Sequence, residues 1–144
     1  MFSKTCEYAI RAMIFIAQKS KTGRKVGIKE IANAIDAPEY FIAKILQELG
    51  RKGLVQSLKG PTGGFYLEKE PSKCSLADIV KAIDGDNLFN GCGLGLKNCS
   101  EIRPCPIHNE FKIVRDEIHN MLKNARIGEF SKQLENNSIF LTRK

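Results

Sequence analysis

The chain has 144 residues, of which 42% are hydrophobic and 27% charged, with 12 Gly and 5 Pro, a composition that excludes a disordered or collagenous protein. Its longest apolar run, residues 12–17, is too short to cross a bilayer, and the first residues lack the basic segment, apolar core and cleavage site of a secretory signal. A cytoplasmic protein without membrane association is therefore expected, and its formal charge of +7 lies almost wholly in residues 1–66, where eleven Lys/Arg face five Asp/Glu. A basic half points to a polyanionic partner such as nucleic acid.

A first helix is expected over residues 3–19, with Cys6, Ala9, Ile10, Met13, Ile16 and Ala17 at helical spacing. After a polar turn at residues 19–25, Ile28, Ile31, Ala32 and Ile35 mark one face of a short second helix. Pro38 suits the first position of a third helix, whose expected buried stripe is Phe41, Ile42, Ile45, Leu46 and Leu49. Residues 54–58 and 65–67 read as two short strands around the glycine-rich turn at residues 60–64. Helix, short helix, tight joint, helix and hairpin is the order of a winged helix-turn-helix.

Ser75-Leu-Ala-Asp78 reads as a capping-box variant opening a fourth helix, with Leu76, Ile79, Val80 and Ile83 inside. Residues 84–106 lack periodicity and form a long irregular loop, which in a compact domain is usually functional or disordered. A last long helix is expected at about residues 107–125, its apolar positions 107, 111, 114, 118, 121 and 125 giving the 3.5-residue repeat of a coiled-coil seam. A lone seam needs a partner, and a second copy is the simplest one. The expected class is thus mainly α with a small β-hairpin wing. The expected units are a winged helix-turn-helix at 1–70, a linker helix and cysteine loop at 71–106, and a dimerisation helix with tail at 107–144.

In a helix-turn-helix the second helix of the pair enters the major groove. Here that presents Glu39, Tyr40, Ala43, Lys44 and Gln47 opposite the apolar stripe. Lys44 suits a guanine edge or a phosphate, and Tyr40 a phosphate or a thymine methyl. Lys59, with Thr62 and Gly63 further round the wing, would reach phosphates or the minor groove. The partner expected is double-stranded DNA.

Five cysteines is an odd number, which fits a disulfide framework poorly in a reducing compartment. Cys92, Cys99, Cys105 and His108 place four soft ligands within 17 residues, among Gly91, Gly93 and Gly95 and next to Pro104 and Pro106. Lys97 and Arg103 favour the thiolate form. Spacing alone leaves an iron–sulfur cluster, a zinc site and a thiol switch open, although zinc usually prefers short C-x2-C knuckles. His119 reads as structural, and Cys6 and Cys74 as small buried hydrophobes. The chain carries no P-loop and no Ser/His/Asp arrangement, so neither enzyme activity nor a small-molecule substrate is expected.

Taken together, Tyr8-Ala-Ile-Arg-Ala-Met13, Ile28-Lys-Glu-Ile-Ala32, Leu49-Gly-Arg-Lys-Gly-Leu-Val55, Lys59-Gly-Pro-Thr-Gly-Gly-Phe-Tyr-Leu67 and the three-cysteine loop resemble the winged-helix regulators that include IscR, NsrR and CymR. The resemblance covers nearly the whole chain and implies a homodimeric bacterial transcription regulator. IscR-like members hold a [2Fe–2S] cluster by three cysteines and a histidine separated from the third by two residues, a pattern that Cys92, Cys99, Cys105 and His108 match with a first gap one residue longer. NsrR-like members hold a [4Fe–4S] cluster with an acid from the partner's first helix, where this chain has Glu7. The resemblance therefore implies a cluster, with [2Fe–2S] favoured over [4Fe–4S] because the C-x2-H spacing is local. The mid-helix Glu-Gln pair of IscR-like readers is replaced here by Ala43 and Lys44, so their operator sequence does not carry over.

Overall fold

The computed structural model describes residues 1–68, 70 and 73–144. Helix α1 (Lys4–Ser20) opens on Ser3, whose hydroxyl accepts the Cys6 backbone N–H at 3.0 Å and satisfies one of the donors that a helix start leaves free. Every side chain from residue 12 to 17 is buried, so α1 is apolar all round at its centre and serves as the axis on which the other elements pack. Helices α2 (Ile28–Ile35) and α3 (Glu39–Arg51) lie against it. Their joint turns on Asp36, which holds a left-handed φ of 56° that a short polar side chain tolerates. Arg11 of α1 reaches across to donate to the Ile35 carbonyl at 2.7 Å and the Leu141 carbonyl at 3.2 Å, closing the end of α2 and tying down the C-terminal tail.

Strands β1 (Gln56–Leu58) and β2 (Gly64–Tyr66) pair antiparallel, with Ser57 opposite Phe65. Val26 adds an isolated bridge to Phe65 through N–H···O bonds of 3.0 and 2.7 Å, anchoring the wing to the body. Two glycines permit this. A Cβ on Gly63 would stand 1.9 Å from the Leu58 carbonyl oxygen, and Gly64 has φ 143° with the Val26 backbone 2.8 Å from where a Cβ would be.

Helix α4 (Leu76–Asp84) begins in a full capping box, Asp78 N–H to Ser75 Oγ at 3.1 Å and Ser75 N–H to Asp78 Oδ2 at 3.0 Å. A one-turn helix α5 (Asn87–Asn90), helix α6 (His108–Asn124), a 3₁₀ turn (Ile127–Phe130) and α7 (Ser131–Glu135) complete the chain. The core joins α1 to Ile31, Ile35, Ile42, Leu49, Ile79, Val80, Leu122 and Ile127, so both halves of the chain share it. Among the described residues no helix is long and apolar enough to cross a membrane.

Four expectations shift. Pro38 has ψ 135°, so it precedes α3 as N-cap rather than opening it. Leu54 and Val55 lead into β1 without joining the ladder. Phe41 is 38% exposed because it turns toward Tyr8 and Tyr40 at the rim instead of into the core. Helix α5 interrupts the segment read as wholly irregular, burying Phe89 against α6. The boundary expected between residues 70 and 71 falls among Lys69, Pro71 and Ser72, outside the described residues.

Candidate functional site

Two regions carry chemistry, a basic face on α3 and the wing, and the cysteine loop seated on α6. On α3 the core takes Ile42, Ile45, Leu46 and Leu49, which leaves Glu39, Tyr40, Lys44 and Gln47 exposed. Lys59 and Thr62 are exposed on the wing, and Gly63 is partly covered. An open groove of about 790 Å³ runs between α3 and the hairpin, and Gln47, Arg51, Ser57, Lys59 and Tyr66 line it. The structure therefore brings Gln47 and Lys59 to one groove, with Glu39, Tyr40 and Lys44 on α3 outside its lining. Lys25 adds a further cation over the Tyr66 ring at 5.1 Å.

Several nearby charges are already engaged. Glu48 pairs with Arg51 and Lys52, and Arg51 first of all holds its carboxyl below the usual range. Arg24 pairs with Glu30. Lys44 and Lys59 form no ion pair among the described residues, so their charge is available to a partner.

The cysteine loop is shaped by backbone turns. The Gly95 N–H donates to the Cys92 carbonyl at 3.0 Å, and the Leu94 N–H lies 3.4 Å from Cys92 Sγ. Backbone N–H groups of Leu94 and Leu96, together with the Cys105 thiol and the Gly95 N–H, hold the Cys92 thiol below its ordinary pKa. At the other end, the His108 N–H donates to the Cys105 carbonyl at 3.1 Å, so the C-x2-H spacing folds as the turn that starts α6. Cys99 Sγ stands 3.4 Å from His108 Nδ1. Of the four donors, Cys99 and His108 are thus the two that stand in direct contact. Among the described residues the four do not close into a metal-ligating group of three or more.

The chemistry of the set nevertheless suits a soft metal centre. Three half-buried thiols, one already drawn toward thiolate, adjoin an imidazole that is 5% exposed. The buried Nε2 of that imidazole faces a Glu101 oxygen at 3.2 Å without the alignment of a hydrogen bond. Glu7 lies on the surface of α1, 3.9 Å from Lys4 Nζ.

Sequence reasoning overlooked the residues that seat the loop. Buried Arg115 donates to the Gly91 carbonyl at 2.9 Å. Gly93 lies flush on the Phe111 ring, where a Cβ would come within 2.9 Å. Glu101 pairs with Lys112 at 2.5 Å. His108, Phe111, Lys112 and Arg115 follow helical steps along one side of α6, a spacing visible in the sequence.

Cys6 and Cys74 lie outside the loop. Burial, then the Asp84 charge, pushes the Cys6 thiol up to about 12, and burial, then Asp78, pushes Cys74 up to about 11. His119 stacks on Phe89 at 4.4 Å.

Known proteins share the family and the fold. The model of the Rrf2 family, described as an iron-dependent transcriptional regulator, matches residues 2–133. An HTH-type transcriptional regulator of Aquifex aeolicus is 35% identical over 131 residues, covering 90% of both chains. The regulator NsrR of Bacillus licheniformis is 30% identical over 98 residues, 68% of each chain. Among solved structures, CymR of B. subtilis, titled the global cysteine regulator, superposes with a TM-score of 0.75 at 21% identity, covering 92% of this chain and 96% of that one. IscR of T. potens gives 0.74 at 22% identity, with 96% and 91% covered. The fold is thus shared with these regulators.

Because Cys6 and Cys74 are neutral when folded and would ionise near 9.0 when unfolded, the stability they contribute is complete below about pH 9 and lost as pH rises toward 11 to 12. With the metal-free native protein at pH 8, a limiting alkylating reagent is expected to label the loop cysteines first, leaving Cys6 and Cys74 unmodified until denaturant is added. Peptide mapping by mass spectrometry reads this directly.

Proposed function

This chain belongs to the Rrf2 family of transcription regulators and binds DNA, and from that premise we propose that it acts in the cytoplasm as a homodimer whose cysteine loop holds an iron–sulfur cluster and governs its grip on operator DNA. The observation that carries the reading is the His108 ring, buried at the start of α6 with Nδ1 3.4 Å from Cys99, on the loop that also carries Cys92 and Cys105. Cys92, Cys99 and Cys105 would hold the cluster, with His108 as fourth ligand. A histidine so placed favours [2Fe–2S], whereas Glu7 of a second copy would favour [4Fe–4S]. Such a cluster, when bound, supplies one-electron redox chemistry and sensitivity to oxidants, nitric oxide and iron–sulfur status. The chain's own part is to offer thiolates, to offset their negative charge through Lys97 and Arg103, and to fix the loop on α6.

The remaining parts follow the same logic. Residues 1–70 form the DNA-binding unit, 71–106 the linker helix and cluster loop, and 107–144 the dimerisation helix and tail. Support for self-association lies in α6, where Ile107, Val114 and Met121, seven residues apart, remain 36%, 50% and 55% exposed together with Ile113 at 62%. A second copy of the stripe covers it. Two winged units on a two-fold axis read a near-palindromic operator with half-sites about one helical turn apart. On each half-site Glu39, Tyr40, Lys44 and Gln47 face the major groove, while Lys59, Thr62 and Gly63 meet the backbone beside it.

Two outcomes are expected. Protein purified without oxygen should contain iron and acid-labile sulfide in equal amounts near two per chain. Four per chain moves the fourth ligand to the partner's helix, and zinc without sulfide overturns the cluster while leaving DNA binding untouched. Replacing Lys59 with Ala should weaken binding to every operator variant alike and flatten the salt dependence of log K by about one unit, as loss of one phosphate contact does. An effect confined to one operator variant would make Lys59 a base reader instead.

A further inference from the structure

The cysteine loop meets α6 at a point that has its own architecture. His108, the first residue of the helix, is fully surrounded, its side chain only 4% exposed. One ring nitrogen, Nδ1, looks inward to Cys99 Sγ at 3.4 Å. The other, Nε2, looks outward to Glu101 Oε2 at 3.2 Å and makes no aligned hydrogen bond there. Glu101 comes from the loop itself, between Cys99 and Cys105, and its second oxygen takes the Lys112 ammonium at 2.5 Å. Lys112 stands one helical turn beyond His108, so the carboxylate is pinned over the imidazole from the helix side. The carboxylate remains 64% exposed, so it has kept its solvation while the ring beneath it has not.

A neutral imidazole offers one N–H and one lone pair, and the hydrogen bond made by one nitrogen decides which nitrogen is left to bind a metal. We infer that Glu101 is a positioning residue for the cluster site: its negative carboxylate, 3.2 Å from the ring, favours the tautomer of His108 that keeps its proton on Nε2 and leaves the Nδ1 lone pair facing the cysteines. The inference rests on the proposed role of His108 as a ligand. Glu101 touches neither thiols nor cluster, and acts only through the ring. A buried ligand histidine without such a partner would either lose its orientation or leave a polar nitrogen unsatisfied. Lys112 supports the arrangement by keeping the carboxylate charged and in place.

The test compares the full-length wild type with E101A and E101Q. Substitution at so exposed a side chain leaves the fold intact, which circular dichroism verifies. The chain has only two histidines, so long-range 1H–15N spectra of the metal-free protein report the His108 tautomer against His119 as an internal reference. Wild type should carry the proton on Nε2, E101A should lose that preference, and E101Q, which keeps an acceptor oxygen, should restore it. After anaerobic reconstitution with iron and sulfide, E101A should release iron to a chelator about 10- to 100-fold faster than wild type, with a shifted visible spectrum, and E101Q should lie close to wild type. A His108 protonated on Nδ1 in wild type, or E101A matching wild type in both tautomer and release rate, overturns the positioning role and leaves the cluster reading standing. A wild-type chain that takes up no iron and sulfide overturns both.

Discussion

A loop built largely of glycine, proline and polar residues cannot bury enough apolar surface to fix its own shape, and everything proposed for this protein depends on how α6 supplies that shape from outside. The helix does so on a single side. Arg115 takes the carbonyl just before the first loop cysteine, Phe111 presents a flat ring to Gly93, and His108 and Lys112 meet Glu101 between the second and third. Each contact uses a different chemistry, so the loop is located in register as well as in space. A guanidinium buried to 8% exposure would be costly without that carbonyl, which makes the Gly91 contact an obligation of the fold.

The same helix faces two ways. Its inner side ends in Leu122, fully within the core shared with α1, while its outer side keeps Ile107, Val114 and Met121 uncovered. Between loop and DNA-binding unit stands α4. Asp84, its last residue, accepts from the Ser3 backbone N–H at 3.0 Å and the Ser3 hydroxyl at 2.5 Å, at the start of α1. Lys52, just past α3, donates to the Ala82 carbonyl at 2.7 Å. Three residues after Asp84 the chain enters α5 and then the cysteine loop. A change in loop order therefore meets, within a few residues, a helix bonded both to α1 and to the end of α3. On the proposed account this short route carries the state of the cluster to the DNA-binding face, with no long-range displacement required.

Much of this was legible in the sequence because local rules and global fold agree. The apolar spacing of residues 6–17, the Ser75–Asp78 capping box and the glycines of the wing each have a mechanism that works within a few residues, and each lies where expected. A stripe drawn on an isolated helix places Phe41 in the core, whereas Tyr8 and Tyr40 offer it a rim instead. The apolar seam of α6 divides for a similar reason: Phe111 and Ile118 pack on their own chain, whereas Val114 and Met121 do not. Within the site, cysteine spacing marked the loop out, but Glu101, Lys112 and Arg115 look like ordinary surface charges until the loop is folded over them. That Lys112 and Arg115 share one side of α6 is a local pattern, but what that side meets comes from tertiary proximity, which no local pattern encodes.

Whether the state of the cysteine loop sets the affinity for DNA is decided by titrating one operator fragment with cluster-loaded and metal-free protein at fixed salt. The two forms should give dissociation constants that differ by about 5- to 150-fold, the span of a coupling free energy of about 1–3 kcal/mol. Identical affinities and identical footprints in the two forms would contradict that coupling, leaving a DNA-binding protein whose loop senses nothing.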